Sequence, residues 1–200
     1  MLSVSFNGKT VEAYTPLEHD GDIHLFTWND KEGKTAFWHS SAHVLAQTLL
    51  ALYPNCKLTI GPAIENGFYY DADFGDHSIT ELDLVTIEKK MLEFARQKSK
   101  FSMRSISKSD ALAHYQKENN PFKIELIENL EDGTITFCDH ADFTDLCRGG
   151  HIPQTGAIKA VKLTNVAGAY WRGDETKKQL TRIYGISFPK QKELTEYLEK

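Results

Sequence analysis

His39 and His43, in the run HSSAH, and Cys147 and His151, in the run CRGGH, are the side chains of this chain best suited to act together. Each pair is spaced i, i+4. On a helix that spacing puts two side chains on one face, one turn apart. The second pair meets the first only if the fold closes the long stretch between them. Three imidazoles and a thiol in one cleft offer two chemistries: the donor set of a tetrahedral metal site, or a metal-free site in which an imidazole takes a proton from water. The first pair alone names no metal enzyme, because HxxxH lacks the glutamate of HExxH.

The neighbours of these residues narrow the geometry. Asp145 lies two residues before Cys147, which on an extended strand gives both the same face. A carboxylate there can bind an ammonium group, orient a histidine, or simply end a strand. Gly149-Gly150 permits positive φ and a tight loop that brings Cys147 and His151 to one wall. Tyr69 and Tyr70 alternate faces, so one belongs to the core and the other is free to line a cleft. His19, His24, His77, His114 and His140 lack comparable partners and read as structural or idle.

These residues need elements to hold them. Residues 2–6 and 22–28 alternate as strands do, with turn signals at Asn7-Gly8 and His19-Asp20-Gly21. Residues 30–34 form a polar linker and a domain boundary. Three short strands in so few residues cannot build a core alone. From Phe37 to Tyr53 the apolar residues Ala42, Leu45, Ala46, Leu49 and Tyr53 make one helical stripe, with His39 and His43 on its flank. Residues 58–65 and 68–73 read as a hairpin about Asn66-Gly67. Thr80 and Asp83 resemble a capping box ahead of a helix that turns Leu84, Ile87, Met91 and Phe94 inward. Ser107 opens another helix, Asn119-Asn120 closes it, and Pro121 starts a short one containing Lys123. Strands follow at 134–138, 143–146, 157–166 and 180–187, and Pro189 begins a last polar helix. This order suggests an α+β fold, an antiparallel sheet with helices packed on one face.

Composition sets the outer limits. The 200 residues are 40% hydrophobic and 26% charged, as in an ordinary globular chain. No apolar run approaches a membrane span, and the start, MLSVSFNGKT, lacks the pattern of a signal peptide. Three cysteines at irregular spacing make no disulfide framework, so a reducing cytoplasm is the expected location. A net charge of −5 argues against a generic nucleic-acid binder. Two stretches are basic nonetheless: residues 96–108, with Arg96, Lys98, Lys100, Arg104 and Lys108, and residues 157–182, with Lys159, Lys162, Arg172, Lys177, Lys178 and Arg182. They are either solvated faces or local phosphate contacts.

Four runs in order, HSSAHVLAQTL, IGPAIENGFYYD, FTDLCRGGHIP and AYWRGD followed by RIYG, resemble the N-terminal region of bacterial threonyl-tRNA synthetases. Alanyl-tRNA synthetases and alanyl editing proteins share the two i, i+4 pairs, but the hairpin run and the AYWRGD…RIYG close favour the threonyl family. The resemblance implies three parts: residues 1–33 as a partial β-grasp (TGS) segment, 34–187 as an editing domain, and 188–200 as the start of a linker helix. It implies hydrolysis of serine wrongly attached to threonine tRNA, with the serine-bearing acceptor end as partner and no membrane. His39 and Lys123 would activate or position water, while His43, Cys147 and His151 shape the pocket. Asp145 would receive the serine ammonium, with Gly61 and Tyr69 or Tyr70 as walls. The site would hold no metal. A zinc-dependent deacylase of the alanyl type and a non-catalytic tRNA-docking module are the alternatives.

No class II motif and no P-loop is present, so this chain is expected to be a fragment without ligase activity. The full-length protein would attach threonine to tRNA with ATP, carry Mg and Zn in its aminoacylation core, and dimerise through that core. One departure stands out. The family commonly has proline where Gly150 stands, so the rigidity of this loop is in question, though not the Cys147–His151 spacing.

Overall fold

The computed structural model describes all of residues 1–200. Its centre is the helix Lys31–Leu52 (α1). From Ala36 to Leu49 every residue but His39 is buried, so the expected one-sided stripe is corrected to a helix covered all round. Small hydroxyl residues make this possible. Ser40, Ser41 and Thr48 donate back to the carbonyls of Ala36, Phe37 and Val44 at 2.7, 2.9 and 2.8 Å, so none enters the interior unpaired. The expected linker at 30–34 is instead the entry and first turn of α1. Asp30 there accepts from the Thr27 N–H at 2.7 Å, and Gly33 lets the helix lie directly on the Thr27 carbonyl.

Opposite faces of α1 meet different sheets. Trp38 and Ser41 project to one side, where the Trp38 indole donates to the Ser187 carbonyl at 3.0 Å and the Ser41 and Ser187 hydroxyls lie 2.7 Å apart. That side is the main antiparallel sheet. Naming its strands Lys57–Leu58 (β4), Ala63–Ile64 (β5), Gly67–Asp73 (β6), Ala160–Tyr170 (β10) and Gln179–Phe188 (β11), the order is β10-β11-β6-β4, with β5 paired to β6. The hairpin turn falls on Glu65-Asn66, and Gly67 begins β6 at φ 118°, where a side chain would collide with the Gly185 carbonyl. Helix Glu81–Arg96 (α2) packs beside α1 with its Thr80/Asp83 capping box formed and Leu84, Ile87, Met91 and Ala95 buried.

Gln47, half a helix turn away from Trp38 in angle, meets the second sheet through His140 at 2.9 Å. This sheet has strands Ser102–Ser105 (β7), Thr136–His140 (β8) and Phe143–Leu146 (β9) in the order β7-β8-β9. The single sheet expected from sequence is therefore corrected. Strand β7, Ser-Met-Arg-Ser, lies inside the basic stretch and offers one apolar residue, Met103, too few for an apolar period. Helices Lys108–Lys117 (α3) and Pro121–Glu128 (α4) pack together over a small core of Ala111, Tyr115, Ile127, Ile135 and Phe137. Asn120 caps α4, accepting from the Lys123 N–H at 3.1 Å, with Pro121 at its start.

The first strands, Ser3–Phe6 (β1), Lys9–Val11 (β2) and Ile23–Phe26 (β3), form a separate antiparallel sheet in the order β2-β1-β3. Only Leu2 of this segment joins the buried main core, while Ile23 and Leu25 stay exposed, so the sheet has no core of its own. The last helix, Gln191–Leu198 (α5), buries Leu194. No helix is long and apolar enough to cross a membrane.

Candidate active site

The two i, i+4 pairs meet. On α1, His39 Nε2 and His43 Nε2 lie 3.3 Å apart, and Cys147 Sγ sits 3.2 Å from the first and 3.4 Å from the second. His151 Nε2 is 3.3 Å from the same sulfur. Cys147 leaves the end of β9, and the chain then turns through Gly149 and Gly150 at φ 102° and 92°. The Ile152 N–H donates to Ser40 Oγ at 2.9 Å, which ties the loop to α1, and the His151 ring stacks on Phe101. His39 is the most open of the three histidines; His43 and His151 are buried.

Burial first, then the neighbouring imidazoles His43 and His151, pushes the His39 pKa well below its usual value, and burial lowers His43 too. Both are neutral bases at neutral pH. Burial also pushes the Cys147 thiol up to about 12, so the sulfur keeps its proton there.

Behind His43 lies a buried ion pair. Lys123, which ordinary odds would leave in solvent, is 2% exposed, and its Nζ donates to Asp145 Oδ1 at 2.6 Å. The Tyr70 hydroxyl donates to Asp145 Oδ2 at 2.9 Å and accepts from Lys123 at 3.3 Å. Tyr115 donates weakly to Oδ1 at 3.5 Å while holding the Leu146 N–H. His43 Nδ1 is 3.4 Å from Oδ2, close enough for attraction but not aligned as a hydrogen bond. Burial alone would raise the Asp145 carboxyl, but the Lys123 charge and the contacts from His43 and Lys123 hold it well below the carboxylate range. Lys123, Tyr70 and Tyr115 take three of the carboxylate's acceptor directions, and the His43 ring crowds the fourth, leaving a substrate ammonium no open approach. The expected direct contact at Asp145 therefore requires one of them to move.

The remaining expected residues divide. Tyr70 faces the site, and Gly61 lets the chain lie against its ring. Tyr69 points to the opposite face of the sheet, stacked under the Arg182 guanidinium at 3.9 Å, and is not brought to the cluster. His140, read as idle, is 2% exposed behind the site, with its pKa pushed down to about 3 by burial and by His43 and His151. Cys138 and Glu12 also reach His151, at 3.8 and 3.2 Å from Nδ1. Glu12 had no local signal, because its contact joins the ends of a long stretch of chain.

The departure at Gly150 takes on a new meaning here. Its φ of 92° is closed to proline, and its N–H donates to Glu12 Oε1 at 2.6 Å, which a proline could not do. The glycine thus specifies this loop path rather than loosening it. The second basic stretch is largely paired with acids from elsewhere, Arg182 with Asp71 and Arg172 and Lys177 with Glu125, whereas in the first only Arg104 finds an acid, Asp139. Counting charge along the chain missed those partners. A broad hollow lined by Ile64, Asn165, Tyr184 and Tyr197 lies elsewhere and contains no histidine, cysteine or carboxylate.

Residues 135–184, which carry Asp145, Cys147 and His151, match the family described as threonyl and alanyl tRNA synthetase second additional domain. The chain is 66% identical over 199 residues to a threonine–tRNA ligase of Flavobacterium johnsoniae, covering 100% of this chain and 30% of that protein. End to end, it is homologous to part of bacterial threonine–tRNA ligases. Those of Cytophaga hutchinsonii and Porphyromonas gingivalis are 57% and 56% identical, again over 99% and 100% of this chain and 31% of each relative. The chain thus spans about 30% of the length of the curated relatives it matches. The resemblance to threonyl-tRNA synthetases, read first from four motifs, extends as sequence identity over the whole chain.

Proposed function

We propose that this chain hydrolyses serine from mischarged threonine tRNA, using a water molecule activated beside His39. The observation that carries the reading is the convergence of His39, His43, Cys147 and His151 within 3.4 Å steps, in a chain homologous to threonine–tRNA ligases. In the proposed step, neutral His39 takes a proton from water as its oxygen attacks the ester carbonyl. The intermediate collapses, the ester C–O bond breaks, and His39 returns the proton to the ribose oxygen. Serine and an uncharged tRNA end are the products. Cys147 acts as a protonated wall of the pocket, with His43 and His151 beside it. Lys123 is a positioning residue, since its ammonium is occupied by Asp145. Asp145 offers the serine ammonium a buried negative charge, reached by displacing Tyr70 or His43. Serine lacks one methyl of threonine, a difference worth only about 10–200-fold in a single binding step, so a second pocket that excludes the methyl adds selectivity.

The whole protein, on this reading, joins threonine to tRNA with ATP in the cytoplasm, with Mg, Zn and the dimer contacts in its aminoacylation core. A second reading has one observation in its favour. Four of the six separations between donor atoms are 3.2–3.4 Å, near the edges, about 3.3–3.6 Å, of a zinc tetrahedron with the usual bond lengths, and all four atoms lie within 4.8 Å of one another. Four protein ligands would fill that tetrahedron and leave no position for water, whereas a catalytic zinc keeps one open. That favours the metal-free mechanism. The test is deacylation of seryl- and threonyl-tRNA at saturating enzyme. Rapid loss of serine with threonine retained is expected; equal rates would remove the methyl-excluding pocket.

A further inference from the structure

Glu12 directly follows β2 and lies 139 residues before His151, yet it makes two contacts with the site's own loop. Oε2 lies 3.2 Å from His151 Nδ1, and Oε1 accepts the Gly150 N–H at 2.6 Å. Gly149 is shaped for the same approach: a Cβ there would stand 2.8 Å from Oε1. A second contact from this segment, Lys100 over the Tyr14 ring at 4.7 Å, holds it nearby. We propose that Glu12 is a positioning residue of the site, supplied by the N-terminal sheet, which fixes the tautomer of His151 and the path of the Gly149-Gly150 loop.

The chemistry follows from the two ring nitrogens. A carboxylate facing Nδ1 draws the ring proton there, so Nε2 keeps its lone pair. Nε2 faces Cys147 Sγ, whose thiol proton it can accept. The resulting chain, Glu12 to His151 to Cys147, orients the sulfur against which His39 and His43 rest. A carboxylate behind a histidine serves equally if Nε2 must face a cation, so the inference does not depend on the metal question. Its catalytic consequence does rest on the hydrolytic reading; its structural part does not. Partners of this kind commonly change activity by about 10–100-fold.

The experiment uses the full 200-residue chain, labelled with 15N, as wild type, Glu12→Ala and Glu12→Gln. Long-range 1H–15N correlation spectra report the His151 tautomer, assigned by its loss in His151→Ala, and the Gly150 amide resonance reports the loop. Seryl-tRNA hydrolysis is measured alongside. Wild type should show His151 protonated on Nδ1 and bare on Nε2. Glu12→Ala should lose that tautomer bias and slow hydrolysis by about 10–100-fold. Glu12→Gln retains one acceptor instead of two, so it should shift the Gly150 resonance or the His151 tautomer and slow hydrolysis less. If Glu12→Ala does not fold, Glu12→Gln carries the measurement. An unchanged tautomer and an unchanged Gly150 resonance in the folded variants would overturn the proposal, as would a wild-type ring protonated on Nε2. Loss of the tautomer bias in a chain that never hydrolyses seryl-tRNA would instead sink the functional reading and leave the role of Glu12 intact.

Discussion

The two walls of the site are supported in opposite ways. His43 is backed by a dry ionic network in which Asp145, 3% exposed, joins Lys123, Tyr70 and Tyr115. His151 is backed by a stacked ring, two glycines and a partly exposed carboxylate from the far end of the chain. The first wall concentrates charge where water cannot relieve it, so damage there should appear as instability. The second is a hinge of local geometry, where damage should change alignment more than folding. Stability and alignment are thus separated between two histidines whose rings lie 5.0 Å apart.

The largest effect should come from breaking the first wall. Lys123→Met leaves Asp145 charged and buried without its partner, and Asp145→Asn leaves Lys123 in the same state. Each should cost roughly 3–5 kcal/mol, read by urea denaturation. A loss below about 1 kcal/mol would mean that water reaches the pair.

Acid should act on the same wall. A histidine whose pKa is depressed in the fold binds fewer protons folded than unfolded, so its contribution is present above pH 6.5 and drains as pH falls. For His140 that window runs from 6.5 down to about 3, and His39 and His43 shift in the same direction. Asp145 adds a loss at still lower pH, below its unfolded value. Stability should therefore fall by a few kcal/mol between pH 7 and pH 4, at about 1.4 kcal/mol per unit for each histidine titrating. A flat melting temperature across that range would contradict the neutral buried histidines.

Gly150→Pro probes the second wall. It forbids φ 92° and deletes the donor to Glu12, so a loss of about 1–3 kcal/mol is expected in thermal melts, smaller than for the ion pair. No loss would show that the loop has a second path of equal energy. Smallest of all should be Arg104→Glu, outside both walls. It breaks a partly exposed pair with Asp139 and should cost about 1 kcal/mol or less in the same melts. Any weakening of tRNA binding from this change should be modest, because the residue is already engaged within the protein.

What the sequence disclosed follows this division. The helix spacing of His39 and His43, the Thr80/Asp83 box and the helix start at Pro121 are local signals, and each matches the structure. Cys147 and His151 were legible because the glycines between them are punctuation. Glu12, His140 and Tyr115 were not, since their roles exist only once remote strands meet. Strand β7 is short and mostly exposed, and its single apolar residue, Met103, makes no hydrophobic period. The burial of α1 from Ala36 to Leu49 on all sides but His39 was obscured by its Ser and Thr residues, which look polar until their hydroxyls are seen bonded to the helix itself.

The most direct test of the hydrolytic site is the single-turnover rate of seryl-tRNA deacylation by zinc-stripped wild type and His39→Ala. Removing a neutral base positioned at the water should slow the step by about 10²–10⁴-fold, while stripping metal should leave the wild-type rate unchanged. A wild-type rate that vanishes with zinc and returns on its addition would contradict the water-activation mechanism, and a His39→Ala variant as fast as wild type would contradict the assignment of the base.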